Sequence, residues 1–163
     1  MARLVRFGLV GGGLMGREFA SAAARWLHLA GVDAAPRIAV VADTNEDVLA
    51  WYERLEPAPR LVRDYRELLA DETVEAVYCA VPHHLHEEIY VASLRAGKHL
   101  LGEKPFGIDL AANEAILAEA AARPGLLVRC SSELPFYPGG QEVARWIREK
   151  RFGRVLEVRS LFL

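Results

Sequence analysis

The sequence of 163 residues lacks several features that define other classes of protein. Its two cysteines, Cys79 and Cys130, are too few for a disulfide framework. Both lie in apolar runs, so we expect buried free thiols in a reducing, cytoplasmic compartment. The net charge of −2 predicts no basic surface for nucleic acid. No apolar run approaches the roughly 20 residues that span a membrane, and the first residues do not resemble a signal peptide.

The most informative feature is a glycine cluster between an apolar run and a helical sequence. Gly11, Gly13 and Gly16 have the G-x-G-x-x-G spacing of a dinucleotide-binding turn. Gly11 would permit the tight turn, Gly13 the approach of a pyrophosphate, and Gly16 close packing of the helix. The helix begins with Leu14 and Met15, whose open N–H groups would face the phosphates. Other nucleotide-binding folds use similar turns, so the turn alone does not identify the ligand.

A carboxylate follows the second apolar run. Ile38–Ala42 is typical of a parallel strand buried on both faces, and Asp43 stands at its carboxyl end. Asp43 lies somewhat further beyond Gly16 than the usual spacing of about 20 residues. Such a carboxylate binds ribose hydroxyls and repels a 2′-phosphate, and no Arg or Lys follows it directly, so the sequence favours NAD over NADP. The alternative is that Asp43 or Thr44 only caps the next helix, since Thr44 and Asp47 have capping-box spacing.

Strand and helix patterns alternate along the chain, which predicts an α/β fold with a doubly wound parallel sheet, a Rossmann fold, over residues 1–150. The predicted strands are Val5–Val10, Ile38–Ala42, Arg60–Val62, Ala76–Val81, His99–Gly102 and Leu126–Cys130. The predicted helices are Leu14–Ala30, Asn45–Leu55, Tyr65–Ala70, Leu85–Ala96, Asp109–Arg123 and Gln141–Lys150.

The last residues break this alternation. From Gly153 to Leu163 apolar and polar residues alternate, which is typical of a half-exposed strand in a different sheet. We therefore predict that residues 151–163 begin a second, carboxyl-terminal α/β domain, and that the chain is the amino-terminal half of a longer protein.

Two segments resemble motifs of a known family. Ala96–Pro105 (A-G-K-H-L-L-G-E-K-P) resembles the A-G-K-H-V-x-x-E-K-P signature of the glucose–fructose oxidoreductase, inositol dehydrogenase and MocA-like oxidoreductases. Val81–His86 (V-P-H-H-L-H) resembles their T-P-N-x-x-H segment, with Val for Thr and His for Asn. The glycine turn and Asp43 match the family's cofactor motif, and Gly153–Val155 resembles its entry into the second domain. The resemblance covers nearly the whole chain.

The resemblance implies an NAD(P)-dependent oxidoreductase. It would transfer a hydride between nicotinamide and a hydroxyl-bearing carbon of a sugar, inositol or related polyol. Lys104 matches the lysine that contacts the reacting hydroxyl, so it is the predicted catalytic residue, and the remaining catalytic groups would come from the second domain. The alternative is a solvated lysine paired with Glu103. The family also implies a homo-oligomer formed through the carboxyl-terminal region.

Further cofactor contacts are implied by the same motifs. Glu103 would lie near the nicotinamide end, with Lys104, while Val81, Pro82 and His83 would line the cofactor site. His86 is included in that set and is expected to bond within the start of its helix. The H-H-x-H spacing matches no standard zinc motif, so no metal site is expected.

Two other functions fit parts of the pattern. A non-enzymatic NAD-binding sensor or interaction module would use the same turn without chemistry. A methyltransferase also pairs a glycine turn with an acidic residue, but Glu103-Lys104-Pro105 has no role there.

Overall fold

Six parallel strands form one sheet in the order β3-β2-β1-β4-β5-β6 in the computed structural model, which describes residues 2–159 and 161. The strands are β1 (Arg3–Val10), β2 (Ala34–Ala42), β3 (Arg60–Val62), β4 (Ala76–Cys79), β5 (His99–Glu103) and β6 (Val128–Ser131). The strand order reverses between β1 and β4, and such a reversal creates a crevice at the carboxyl ends of the strands. The predicted Rossmann fold is confirmed.

Six α-helices accompany the strands in the described residues. They are α1 (Leu14–Ala24), α2 (Glu46–Ala50), α3 (Tyr65–Leu69), α4 (His86–Arg95), α5 (Leu110–Ala121) and α6 (Pro138–Arg148). Short 3₁₀ turns lie at Trp26–His28, Trp51–Arg54, His83–Leu85 and Leu134–Phe136.

The core has two layers, one on each face of the sheet. Along β1, Leu9 packs with Ala20 of α1, while Val10 belongs to the layer that contains Ile89 of α4 and Ile116 of α5. Alternate residues of the central strands thus point to opposite layers, and both layers are apolar. This arrangement explains why the central strands are continuous apolar runs.

Strand β2 is longer than the sequence predicted because pairing with β1 begins at Ala34. Pro36 lies inside this strand, opposite Val5. Proline removes a ladder donor and is tolerated only where one side of a strand is unpaired. β3 pairs only with Val40–Ala42, so β2 has a single neighbour at Pro36.

The first helix is shorter than predicted. α1 ends at Ala24 and is followed by a 3₁₀ turn, whereas the sequence pattern predicted helix to about Ala30. The last helix begins earlier than predicted, at Pro138 rather than Gln141, because proline suits the first turn of a helix.

The two cysteines differ in environment. Cys79 in the central strand β4 is fully buried, and burial raises the pKa of its thiol to about 12. Cys130 is exposed, so the expectation that both thiols are buried was wrong for this residue. It lies on β6, which pairs only with β5, and an edge strand has fewer covering neighbours.

The contacts divide the chain into two units, one ending at Ser131 and the other beginning at Ser132. Within the second unit, α6 is amphipathic and the Trp146 and Phe152 rings meet edge to face at 6.0 Å. Residues 153–159 and 161 form no helix or strand, so the strand expected from Gly153 to Leu163 is not formed in its described part. A strand forms only beside another strand that pairs with its backbone N–H and C=O groups. Among the described residues no strand follows β6, so the last segment has no such partner within its own unit. The remainder of that prediction lies outside the described residues, and the predicted boundary at residue 150 stays a prediction.

Candidate functional site

The glycine turn leaves the carboxyl end of β1. Gly11 has a φ of +89°, and a Cβ there would lie 2.5 Å from the Ala80 carbonyl oxygen. A Cβ at Gly16 would lie 2.5 Å from the Gly11 carbonyl oxygen, so this glycine lets α1 begin directly against the turn. A Cβ at Gly13 would meet nothing within 4 Å. The space above Gly13 is therefore open to a ligand.

Both backbone polar groups of Gly12 are hydrogen-bonded to side chains. Its N–H donates to Asp43 Oδ2 at 2.8 Å, and its carbonyl accepts from the Tyr52 hydroxyl at 2.9 Å. Tyr52 is fully buried, and burial raises the pKa of its hydroxyl, so it stays a donor. Sequence reasoning missed both Gly12 and Tyr52. Tyr52 falls within the predicted helix Asn45–Leu55, and nothing in that local pattern marked it as a partner of the glycine turn.

Asp43 braces the turn and does not cap the following helix. Its second oxygen, Oδ1, accepts from the Asn45 backbone N–H at 2.9 Å. The N-cap of α2 is Asn45, whose side chain accepts from the Asp47 N–H at 2.9 Å. The alternative of a Thr44 capping box was therefore wrong, because the cap falls one residue later.

A cavity of about 620 Å³ opens between the ends of β1, β2 and β4. Of the predicted site residues it is lined by Gly11, Gly13, Asp43, Val81 and Pro82. These five residues come from three strand ends, which the strand order places around one cavity. The other predicted residues lie outside its lining: Leu14, Met15, Gly16, His83, His86, Glu103 and Lys104.

Two cations also line this cavity. Arg63 reaches it from the segment between β3 and α3, and Arg66 from the first turn of α3. Sequence reasoning missed them because it examined only the residues that follow Asp43. Arg63 pairs with Glu46 at 2.8 Å, and Arg66 contacts Glu88 at 3.2 Å, so nearby carboxylates balance both charges.

The Glu103-Lys104-Pro105 segment follows β5 at the same edge of the sheet. Glu103 is buried, and its carboxylate accepts from the Tyr78 hydroxyl at 2.7 Å and from the Lys104 backbone N–H at 3.1 Å. Burial and this hydrogen bond raise the pKa of Tyr78. The Tyr90 hydroxyl donates to the Glu103 carbonyl oxygen at 2.9 Å. Tyr90 therefore holds the Glu103 backbone, and Tyr78 holds the carboxylate that accepts from the Lys104 N–H.

Lys104 is exposed and the Lys104–Pro105 peptide bond is cis. The Glu103 carboxylate is engaged by the Tyr78 hydroxyl and by the Lys104 backbone rather than by the ammonium. The described geometry thus shows a solvent-exposed Lys104 whose ammonium is not paired with Glu103.

The three neighbouring histidines separate in the fold. His83 and His84 are exposed on a 3₁₀ turn, whereas His86, the first residue of α4, is fully buried. Its ring nitrogens contact the carbonyl oxygens of Val81 and Pro105, which lie outside its helix, and Nδ1 also contacts the Tyr90 hydroxyl within that helix. Within residues 2–159 and 161, no group of three His, Cys, Asp or Glu side chains is placed to hold a metal ion. No helix of the described chain has the length and hydropathy needed to cross a membrane.

Comparison with known proteins supports the same interpretation. A family model, described as an oxidoreductase family with an NAD-binding Rossmann fold, matches residues 5–130. Levoglucosan dehydrogenase of Pseudarthrobacter phenanthrenivorans is 29% identical over 157 residues, which cover 96% of this chain and 40% of that protein. The 1,5-anhydro-D-fructose reductase of Ensifer adhaerens is 29% identical over 155 residues, covering 94% of this chain and 44% of that protein.

Solved structures give the same result. A levoglucosan dehydrogenase in complex with NADH superposes with a TM-score of 0.86 at 27% identity, covering 94% of this chain and 41% of that one. An apo scyllo-inositol dehydrogenase from Lactobacillus casei has a TM-score of 0.82 at 21% identity and shares the fold. The chain spans about two fifths of the length of these relatives. It belongs to the glucose–fructose oxidoreductase, inositol dehydrogenase and MocA oxidoreductase family, and its matched part is that family's NAD-binding Rossmann domain.

Proposed function

We propose that this chain is the cofactor-binding part of an NAD-dependent dehydrogenase that acts on a hydroxyl-bearing carbon of a sugar, inositol or related polyol. The observation that carries the proposal is the assembly of the glycine turn, Asp43, Val81-Pro82 and Lys104 at one edge of one parallel sheet. The dehydrogenase and reductase relatives support the substrate class.

The turn and the cavity beside it are suited to the cofactor. Gly13 offers open backbone to a pyrophosphate, and the first N–H groups of α1, including those of Leu14 and Met15, favour negative charge. Each Asp43 oxygen accepts one backbone N–H, from Gly12 and from Asn45, and each has a second lone pair that could accept from a ribose hydroxyl. A 2′-phosphate would approach this carboxylate, and the nearby Arg63 is already paired with Glu46. These contacts support NAD in preference to NADP.

Lys104 is the proposed catalytic residue of this chain. When bound, the nicotinamide ring supplies the carbon that accepts the hydride. As the hydride leaves the carbinol carbon, negative charge grows on the carbinol oxygen, and an ammonium beside it stabilises that charge in the transition state. Glu103 and the tyrosines that engage it would keep Lys104 in place during this step. We propose that the complementary catalytic groups, including the base that takes the proton of the reacting hydroxyl, belong to parts of the protein beyond residue 163.

The partners of the whole protein are proposed on the same basis. We infer a small polyol or sugar-like substrate, a homo-oligomer formed through the carboxyl-terminal region, and a cytoplasmic location. Exposed apolar side chains in the second unit, including Phe152, Leu156 and Val158, support association through that region. The start of a second domain at residue 151 is part of the same proposal.

The test begins with two titrations of this chain by calorimetry, one with NAD and one with S-adenosylmethionine. We expect binding of NAD only. The full-length protein that carries this chain is then supplied with NAD and a panel of polyols, and NADH formation is followed by absorbance. NAD binding without turnover of any polyol would favour the alternative of a non-enzymatic sensor module, and selective binding of S-adenosylmethionine would favour the methyltransferase.

A further inference from the structure

We propose that His86 is a positioning residue that links the cofactor cavity to the lysine-bearing segment: its Nδ1–H donates to the backbone that follows Lys104, and its Nε2 lies against the backbone that follows β4. The inference rests on the proposed function, because it assigns a role to a group behind that same site. His86 does not touch the cavity itself, so its effect would pass through the two segments it holds.

The contacts of His86 join two adjacent strand ends. Nε2 lies 3.1 Å from the carbonyl oxygen of Val81, which follows β4 and lines the cavity. Nδ1 lies 2.8 Å from the carbonyl oxygen of Pro105, which follows Lys104 directly. One buried side chain therefore spans the backbone of both segments.

The surroundings fix the orientation of the ring. His86 is fully buried and stacks on Tyr90, with ring centroids 4.7 Å apart and planes inclined by 20°. The Tyr90 hydroxyl lies 3.2 Å from Nδ1 and donates to the Glu103 carbonyl oxygen. Because the Pro105 carbonyl oxygen can only accept, the contact to it is a hydrogen bond when Nδ1 carries a proton, and the Tyr90 hydroxyl then donates to Glu103.

The protonation of the ring determines how many segments it holds. A neutral imidazole has one N–H and would donate to the Pro105 carbonyl alone. An imidazolium has two and would donate to both carbonyls. In either form Pro105 depends on His86, because proline offers no N–H with which to anchor its own segment. His86 is thus placed to fix the position from which Lys104 extends.

Two substitutions separate the two contacts. In His86→Asn the amide nitrogen replaces Nδ1, so the contact to Pro105 is kept and that to Val81 is lost. In His86→Gln the amide nitrogen replaces Nε2, and the pattern is reversed. His84→Asn and His84→Gln are the matched controls, since His84 is an exposed neighbour on the same turn.

Amide hydrogen exchange of this chain, followed by NMR, reads out each segment. The Leu85 N–H, which donates to Pro82, reports on the segment after β4, and the Lys104 N–H reports on the segment after β5. We expect His86→Gln to accelerate exchange at Lys104 by about tenfold, the scale of one lost hydrogen bond. His86→Asn, which keeps the contact to Pro105, should leave the exchange rate of Lys104 near its original value. The Leu100 N–H in the sheet should not change in either variant.

The proposal is overturned if Lys104 exchanges at the original rate in His86→Gln, or if Leu100 accelerates as much as Lys104, which would indicate general destabilisation. Should both variants fail to fold, the imidazole ¹⁵N spectrum of the unaltered chain decides: a proton on Nδ1 supports the proposal, and a lone pair there overturns it. None of these measurements requires a cofactor. Failure of NAD binding would therefore contradict the proposed function without altering this test.

Discussion

Gly13→Val is the sharpest test of the cofactor site, because Gly13 is the one glycine of the motif at which an added Cβ would contact no other part of the described structure. Substitution at Gly11 or Gly16 would drive a side chain into backbone atoms 2.5 Å away and disturb the turn itself. At Gly13 a Cβ meets nothing within 4 Å, and φ is −65°, outside the left-handed region. A valine there would fill only the space that a pyrophosphate needs.

The expected effects on stability and binding differ in size. Gly13 is the N-cap of α1, where valine is less favourable than glycine by about 1 kcal/mol. That is a small part of the roughly 5–15 kcal/mol that stabilises a folded domain. Displacing the pyrophosphate would remove hydrogen bonds to a charged group, each contributing about 1.5–3 kcal/mol. Losing two would lower NAD affinity by more than about 100-fold.

Calorimetric titration with NAD, together with thermal unfolding, measures both effects. Gly125→Val is the matched control, since a Cβ at Gly125 also meets nothing within 4 Å but the residue lies in the turn before β6. We expect the control to bind NAD normally and Gly13→Val to remain folded without measurable binding. Unchanged NAD affinity in a folded Gly13→Val variant would refute the assignment of the turn.

The remaining predictions concern charge and the carboxyl-terminal region. The unaltered chain should bind NAD more tightly than NADP. Asp43→Ala should reduce this difference in affinity and, because it removes the acceptor for the Gly12 N–H, weaken the binding of both cofactors. Asp43→Asn should reduce the difference with a smaller loss of NAD affinity. Equal affinities in the unaltered chain, measured by titration, would contradict the role of Asp43. Lys104→Ala should leave NAD binding intact but slow hydride transfer by the full-length protein by about 10²–10³-fold. Lys104→Met, whose side chain is of similar length but uncharged, should slow hydride transfer by the same factor. Near-normal turnover in either variant would contradict the catalytic role of Lys104. Removing the residues after Arg154 should leave the first unit folded and able to bind NAD, and should improve its solubility. Circular dichroism and titration with NAD measure the first two effects. Unfolding of the shortened chain would show that these residues support the sheet.

Local patterns predicted the fold well because each strand and turn carries its own physical signature. The buried strands β2 and β4 required apolar residues on both faces, and β3 was predicted at its observed bounds, Arg60–Val62. The tight turn required glycine at a positive φ, and Gly11 has one. The boundaries were less predictable, because pairing with β1 extends β2 back to Ala34 across a proline.

Neighbours distant in sequence decided the rest. Nothing in the local pattern indicated that Tyr52 would anchor Gly12, that Arg63 would reach the cavity beside Asp43, or that His86 would contact Pro105. Cys130 lies in an apolar run yet is exposed, because β6 became an edge strand. The sequence by itself determined the alternation of strands and helices, the glycine turn and the carboxylate after β2. Only the tertiary structure decided which side chains hold that turn and the lysine segment, because hydrogen bonds between strand ends depend on strand order, which local periodicity does not encode.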